Sequence, residues 1–391
     1  MSFAAILSAT RATSDSGSSL RAGLHFAGQT LVEYQARQAA SAGASHILIV
    51  VNVITPALSQ AVDRLSADGI AVALVRDMVS LVRTAPRDMD AVLMADGAIV
   101  AQTYLDMVAR SDGDALLVTD DSRASAPFER IDAGQRWGGL VRVSPALLFG
   151  TLDMIGDWDL ALTLVRTAVQ HGARRITISQ DDLLEGRVSL VDGQAQADLA
   201  AQAVMAAAPG VRPISAGLEH HLLRPIAGWI APALVRTQIH ALHVRIASVA
   251  LTLIALLPIE LGWPVIGLLL LLPALLLGEV ADRIDQIALR RPSIGAMAFA
   301  TSAVALAGIA LVGNSAVSVY LAILLAILTI ATRRGGMGGT PTWQIVTPGT
   351  ALSILLVASF IGRLSLGIDL AMVAALASLA AIILVKRDLP A

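Results

Sequence analysis

The sequence predicts an α/β domain built on a mostly parallel sheet, followed by an all-α membrane domain of six spans. The chain is 55% hydrophobic and 15% charged over 391 residues, and the apolar excess is confined to its second half. Residues 1–217 show alternating strand and helix patterns, whereas Leu, Ala, Ile and Val dominate residues 240–385. We assign residues 1–209 to the α/β domain, 210–239 to a linker with an interfacial amphipathic helix, and 240–391 to the membrane domain.

Short apolar runs give the strands of the predicted α/β domain. They are Ala4–Ala9, His46–Asn52, Ile70–Val75, Asp90–Met94 and Ala115–Thr119. Helices are predicted at 31–42, which Gly43 ends, and from Gly97 to Arg110. Ligands of parallel sheets gather at the carboxyl ends of strands, and Asp96 follows such an end. Asp96 is therefore either a site residue or a helix N-cap.

Composition excludes several kinds of chemistry. The chain has no cysteine, which excludes disulfides and thiolate metal sites. Its one lysine is Lys386, so the α/β domain cannot use lysine chemistry. A net charge of −2 without a basic, aromatic-interleaved patch predicts no nucleic-acid partner. The start of the chain lacks the basic region of a signal peptide, which predicts that the α/β domain stays in the cytoplasm.

Six apolar segments are each near the length that crosses a bilayer. They lie at about 241–259, 262–279, 294–312, 315–332, 347–365 and 367–385. Basic residues follow the second, fourth and sixth segments, namely Arg283, Arg290 and Arg291, then Arg333 and Arg334, then Lys386 and Arg387. The positive-inside rule then predicts a multi-pass protein of the inner (cytoplasmic) membrane, with the α/β domain and the C-terminus in the cytoplasm.

Two features of the membrane half point to ligands. Glu279, Asp282 and Asp285 stand where the second apolar segment ends, and carboxylates at a bilayer boundary usually face a polar cavity. They are candidate metal ligands. Arg333 and Arg334 open a Gly-rich connection that could cradle a phosphate, and a flexible positive-inside loop is the alternative interpretation.

The segments AAILSA, LRAGLHFAGQTLVEYQARQAASAGASHILIVVN and DAVLMADGAIVAQTYLDMV resemble the nucleotidyltransferase family, which has a GT-A-like fold. The inositol-phosphate cytidylyltransferase branch is the most similar. The resemblance implies Mg²⁺ at Asp96 and Asp192 and contacts to CTP from Arg21 and Gln29. The family's Gly-rich G-x-G-x-R loop is not preserved, and Gln29 stands where the family has a lysine.

The membrane half resembles the CDP-alcohol phosphotransferase family. Glu279 and Asp282 match the first two of its four metal-binding carboxylates, Arg283 replaces a glycine, and the last two acids are missing. The resemblance implies Mg²⁺, a CDP-alcohol substrate, membrane lipids as partners and a homodimer. Both resemblances together are typical of bifunctional fusion proteins, and they predict a transferase of phospholipid or polar-lipid head-group synthesis.

Two alternatives stay open, and no catalytic residue is assigned. The first is a catalytically inactive homologue that acts as a partner, a regulator or a binder of nucleotide or lipid phosphate, with Arg283 paired to Asp282 where the metal would sit. The second is a membrane-tethered glycosyltransferase whose metal–nucleotide motif is Asp112-Gly-Asp114 or Asp120-Asp121.

Overall fold

The computed structural model divides the chain into two compact units. The first unit is Met1–Ala208 with Ala288–Arg290, and the second is Pro209–Ile287 with Arg291–Ala391. The described residues are 2–15, 19–154, 159–207, 217, 219–237, 239, 241–290, 296–313, 315–333 and 345–387.

A seven-stranded sheet organises the first unit. The strands in chain order are β1 (Phe3–Ala9), β2 (His25–Phe26), β3 (Gln29–Thr30), β4 (Ala44–Val51), β5 (Val72–Val75), β6 (Ala91–Met94), β7 (Ala98–Ile99), β8 (Ala115–Asp120), β9 (Gln135–Val143), β10 (Arg174–Thr177) and β11 (Ser189–Leu190). The large sheet has the order β10-β8-β9-β6-β1-β4-β5. Only β9 runs against its neighbours β6 and β8, so the prediction of a mostly parallel sheet is confirmed.

Each predicted strand coincides with an observed strand to within two residues at either end. The reason is burial on both faces, which requires near-continuous apolar runs in the central strands. In β1, Ile6 and Leu7 are fully buried, and Leu93 and Met94 of β6 lie beside them.

Eight α-helices complete the described part of the first unit. They are α1 (Leu31–Ala42), α2 (Pro56–Ala67), α3 (Met78–Thr84), α4 (Gln102–Ala109), α5 (Pro145–Met154), α6 (Leu160–Gln170), α7 (Gln180–Leu184) and α8 (Gln194–Ala207). Thr30 and Glu33 form a capping box at the start of α1, and Gly43, with φ of 109°, ends it. The helix predicted from Gly97 begins instead at Gln102, because Ala98 and Ile99 first pair with β11.

Seven α-helices form the described part of the second unit. They are α9 (Arg224–Arg236), α10 (Ala241–Glu260), α11 (Pro264–Ile287), α12 (Ala296–Val312), α13 (Ala316–Arg333), α14 (Pro348–Phe360) and α15 (Leu364–Arg387). Among the described residues, three helices are long and apolar enough to cross a membrane: Ala241–Glu260, Pro264–Ile287 and Leu364–Leu384. Membrane association is thus supported, and the six-span arrangement stays a prediction.

The described helices of the second unit expose large apolar side chains. Large side chains such as Leu257 on α10, Leu269 on α11 and Leu370 on α15 are more than half exposed. Leu268 and Leu271, on the other face of α11, are fully buried. On α9, where the sequence predicts an interfacial helix, Trp229 is 85% exposed. Outward apolar faces of this extent are typical of helices that contact lipid.

Candidate functional site

Asp96 lies at the carboxyl end of β6, beside the loop that follows β1. Its side chain is buried, with 6% of the residue exposed. Its Oδ2 accepts hydrogen bonds from the backbone N–H groups of Thr10 and Arg11 at 2.7 and 2.6 Å. Its Oδ1 is buried and has no hydrogen-bond partner in the described part of the chain. Burying a carboxylate oxygen without a hydrogen-bond partner costs free energy. This atom is therefore a candidate ligand of a cation, or a position that carries a proton.

The ionisation of Asp96 reflects that burial. Burial raises the pKa of Asp96 to about 6, although the N–H groups of Arg11 and Thr10 and the charge of Arg21 act in the opposite direction. A buried carboxyl group in a cleft whose pKa is raised by burial is a candidate functional group.

The second predicted metal residue, Asp192, lies close to the same loop. The short strands β7 and β11 pair antiparallel, and Val191 donates its N–H to the carbonyl of Gly97 at 2.9 Å. The next residue, Asp192, accepts the N–H of Ser14 at its carbonyl, at 2.8 Å. Asp192 is therefore placed at the loop, and its contact there is made by its backbone.

Gly97 permits this approach. Its φ is 78°, in the left-handed region, and a Cβ there would lie 2.3 Å from the Val191 carbonyl oxygen. A larger residue would separate β7 from β11.

A narrow cavity of about 30 Å³, room for roughly one water, lies against Asp96. Its apolar wall includes the buried rings of Phe128 and Trp137. Its polar wall includes Arg11 and Asp159, whose guanidinium and carboxylate meet at 3.3 Å.

The two predicted nucleotide contacts differ in placement. Arg21 lies beside Gly97 and donates from Nε to the carbonyl of Ala12 at 3.3 Å. Gln29 is buried, and its side-chain oxygen accepts a hydrogen bond from Arg37. Arg37 is in turn paired with Asp68. Arg21 can reach the Asp96 cleft, whereas Gln29 is part of the buried polar network at the start of α1.

In the second unit, two of the three predicted acidic ligands share an arginine. Arg245 on α10 places Nη2 at 2.8 Å from Asp282 Oδ1 and at 2.8 Å from Asp285 Oδ2. Arg245 is 5% exposed. Glu279 lies one turn earlier on α11 and is half-buried. The space between the Asp282 and Asp285 carboxylates is thus filled by a guanidinium, which does not fit a metal ion at the same point.

The hypothesis that Arg283 pairs with Asp282 differs from the structure. Arg283 donates to the side chain of Gln286 at 3.3 Å, while Arg245 takes Asp282. Arg283, the sequence neighbour of Asp282, lies on a different side of α11. The partner of Asp282 comes from α10. Within the described residues, no group of three or more His, Asp or Glu side chains is arranged to hold a metal ion.

The structure gives less support for a ligand site at the remaining predicted positions. Arg333 is the last residue described in α13, and its side chain, with Arg334 and the Gly-rich connection up to 344, lies outside the described residues. Asp112 and Asp114 precede β8, at the sheet edge opposite to Asp96, and Asp114 accepts the N–H of Ser144 at 2.6 Å.

Asp121, in the other glycosyltransferase motif, is already paired. It accepts from Arg136 at 2.6 Å and also contacts Arg130, and these hydrogen bonds lower the pKa of Asp121. Asp120 ends β8, at the same sheet edge as Asp96, and is exposed.

Sequence reasoning missed Arg11, Asp159 and Arg245. A signal existed for Arg245, because a lone arginine within a membrane-grade helix needs an acidic partner. Arg11 and Asp159 are 148 residues apart, and neither belongs to a recognisable motif.

No protein-family model matches the sequence, and no curated protein matches it. Among solved structures, the fold is similar to the inositol-1-phosphate CTP transferase from T. maritima, at 15% identity and a TM-score of 0.39, over 51% of this chain and 96% of that one. It is also similar to UDP-glucose pyrophosphorylase complexed with UDP-glucose, at 9% identity and a TM-score of 0.34, over 44% of this chain and 88% of that one. At these identities the likeness is one of fold alone.

Proposed function

We propose that the first unit is a nucleotidyltransferase-like domain that binds a nucleotide with Mg²⁺ at the Asp96 cleft. The observation that carries this proposal is the buried Asp96, which follows the carboxyl end of a central strand and whose Oδ1 has no hydrogen-bond partner among the described residues. Burying a carboxylate oxygen without a hydrogen bond costs free energy, and a bound ligand that contacts the atom offsets that cost.

The residues present fit a cation that arrives with phosphate groups. Mg²⁺ is commonly held by one or two carboxylates together with substrate phosphates, so Asp96 alone can be its protein ligand. When bound, Mg²⁺ supplies the positive charge that offsets a triphosphate. Asp96 would hold the cation through Oδ1, while its Oδ2 accepts the backbone hydrogen bonds that fix the loop after β1. Arg21 lies near enough to contact a phosphate.

The nucleotide is CTP, or a CDP-alcohol derived from it, as the cytidylyltransferase resemblance implies. The protein then belongs to phospholipid or polar-lipid head-group synthesis, sits in the cytoplasmic membrane with its first unit in the cytoplasm, and forms a homodimer. For the second unit, Arg245 between Asp282 and Asp285 argues against two-metal head-group transfer. We assign that unit the roles of lipid contact and membrane anchoring.

A second candidate function is binding without turnover, in which the chain serves as a partner or regulator. The position of Gln29 favours it. Where the resembling family has a nucleotide-contacting lysine, this chain has a buried amide engaged by Arg37.

Calorimetric titration of the full chain in lipid nanodiscs tests the proposal. Wild-type protein should bind CTP in the presence of Mg²⁺, and Asp96→Asn should lose that binding. Asp112→Asn is the matched control, because it removes an exposed acid at the opposite edge of the sheet. Absence of CTP binding by a folded wild-type chain would contradict the proposal.

An added polyol phosphate separates the two candidates. Release of pyrophosphate that requires Asp96 would assign cytidylyl transfer. Tight binding without release would assign the non-catalytic role.

A further inference from the structure

We propose that Arg11 is the phosphate-contacting side chain of the Asp96 cleft and that Asp159 is a built-in competitor that holds Arg11 until the ligand arrives. This inference rests on the proposed nucleotide binding and adds to it the residue pair that controls entry.

The position of Arg11 is fixed by its backbone. Its N–H donates to Asp96 Oδ2 at 2.6 Å, and its carbonyl accepts the N–H of Arg21 at 3.0 Å. The guanidinium is left to line the cavity beside Asp96. There its Nη2 contacts Asp159 Oδ2 at 3.3 Å, and both side chains are 41% exposed. A guanidinium has five N–H donors, so this single contact uses a small part of its capacity.

Asp159 takes the place that an anion would take. It is the N-cap of the 11-residue helix α6, and its Oδ1 accepts the N–H of Leu162 at 3.1 Å while its Oδ2 meets Arg11. An arginine and a helix N-terminus are two groups that bind phosphate in proteins. Here one carboxylate contacts both, and the same cavity is lined by Asp96, whose Oδ1 has no partner among the described residues.

The cavity beside Asp96 is small, and the Arg11–Asp159 contact forms part of its wall. About 30 Å³ accommodates roughly one water and no phosphate group. A half-exposed ion pair with one contact is weak, so a phosphate with several acceptor oxygens and an accompanying cation can displace Asp159 from Arg11.

The variant Asp159→Asn isolates the competition. Asparagine keeps the side-chain oxygen that caps α6 and removes the charge that holds Arg11. We expect the affinity for inorganic pyrophosphate and for CTP, each with Mg²⁺, to rise about two- to fivefold, which is the range of an exposed ion pair. Arg11→Gln should lower both affinities at least about tenfold, since it removes a charge-assisted contact.

The chain offers a matched control. Arg175 and Asp132 form an ion pair of similar exposure, 40% and 41%, at 2.7 Å on the edge strand β10. Asp132→Asn should leave both affinities unchanged. All titrations use the full chain in nanodiscs, and hydrogen exchange of each variant verifies that β1 and β6 are folded.

The outcomes separate this inference from the function on which it rests. If wild-type protein binds CTP through Asp96 but Asp159→Asn gives no gain, the competitor role is wrong and the proposed function stands. If Arg11→Gln binds as wild-type does, the assignment of Arg11 is wrong. If neither the wild-type chain nor Asp159→Asn binds either probe, both proposals fail. If Asp159→Asn binds CTP and the wild-type chain does not, the proposed function of the wild-type chain is wrong, and the competitor role of Asp159 stands.

Discussion

The pairing of Arg245 with Asp282 and Asp285 makes a sharp prediction about the second unit. Arg245→Met keeps the length and the apolar stem of the side chain and removes the guanidinium. The two carboxylates then lose the cation that lies 2.8 Å from each of them. We expect loss of stability in α10 and α11, and no dependence of the wild-type chain on Mg²⁺ in this region.

The expected loss of stability follows from how deeply the two acids are buried. Removal of one partner from a buried ion pair costs about 3–5 kcal/mol. The side chain of Asp285 is 12% exposed and that of Asp282 is 32% exposed, so water partly solvates the second acid. We therefore expect the lower end, about 3 kcal/mol. Adding Asp285→Asn to Arg245→Met should recover about 1–2 kcal/mol, because residues in one ion-pair network are coupled.

Hydrogen-exchange mass spectrometry of the full chain in nanodiscs measures these free energies locally in α10 and α11. A metal site in the wild-type chain would bind Mg²⁺ and raise the opening free energy by about 2.7 kcal/mol at a hundredfold excess over Kd. Wild-type protection that rises in this way on addition of Mg²⁺, together with an Arg245→Met variant of unchanged stability, would refute the ion-pair interpretation.

Three further predictions concern the first unit. Without ligand, Asp96→Asn should stabilise β6 by about 1–3 kcal/mol above pH 6, because the folded-state pKa of about 6 exceeds the usual 3.8 and the ionised form is the costly one. The gain, measured by hydrogen exchange, should vanish as the pH falls below 4. Glu33, buried and bonded to Arg64 at 2.8 Å, has its pKa lowered to about 2, since the Arg64 and Thr30 hydrogen bonds outweigh burial. Ionised Glu33 should contribute about 3 kcal/mol to the free energy of unfolding above pH 4.5, and this contribution should decline between pH 4.5 and 2. Acid unfolding curves measure it, and it should be absent in Glu33→Gln. Gly97→Ala should destabilise the β7–β11 pairing by about 2 kcal/mol or more and weaken CTP binding, and equal affinity in calorimetry would contradict the role assigned to this pairing.

Much of the first unit could be predicted because its central strands are buried on both faces. The run Ile47–Val51 has no other reasonable interpretation than a buried strand, and the structure places it in β4. The helix after Asp96 begins later than predicted, since Ala98 pairs with Leu190, which is 92 residues further along the chain. Tertiary pairing of this kind overrides local pattern.

The site residues likewise divide into those that local sequence identifies and those that only the tertiary structure brings together. Asp96 was identifiable because a strand end in a parallel sheet is a local feature. The partner of Arg11 was not, because α6 reaches the cleft only through the folded sheet. In the second unit the acids were identifiable as a cluster, but their interpretation as metal ligands depended on what faces them. The facing residue, Arg245, lies on another helix and changes the chemistry.

Counting bound metal ions tests the central claim most directly. Mn²⁺, used as a paramagnetic substitute for Mg²⁺, can be counted by electron paramagnetic resonance on the full chain in nanodiscs with and without CTP. We predict one tightly bound Mn²⁺ per chain that requires CTP, is lost in Asp96→Asn and is unchanged in Asp282→Asn. Two or more ions bound without CTP, with a number that falls in Asp282→Asn and not in Asp96→Asn, would contradict both the nucleotide site at Asp96 and the ion pair at Arg245.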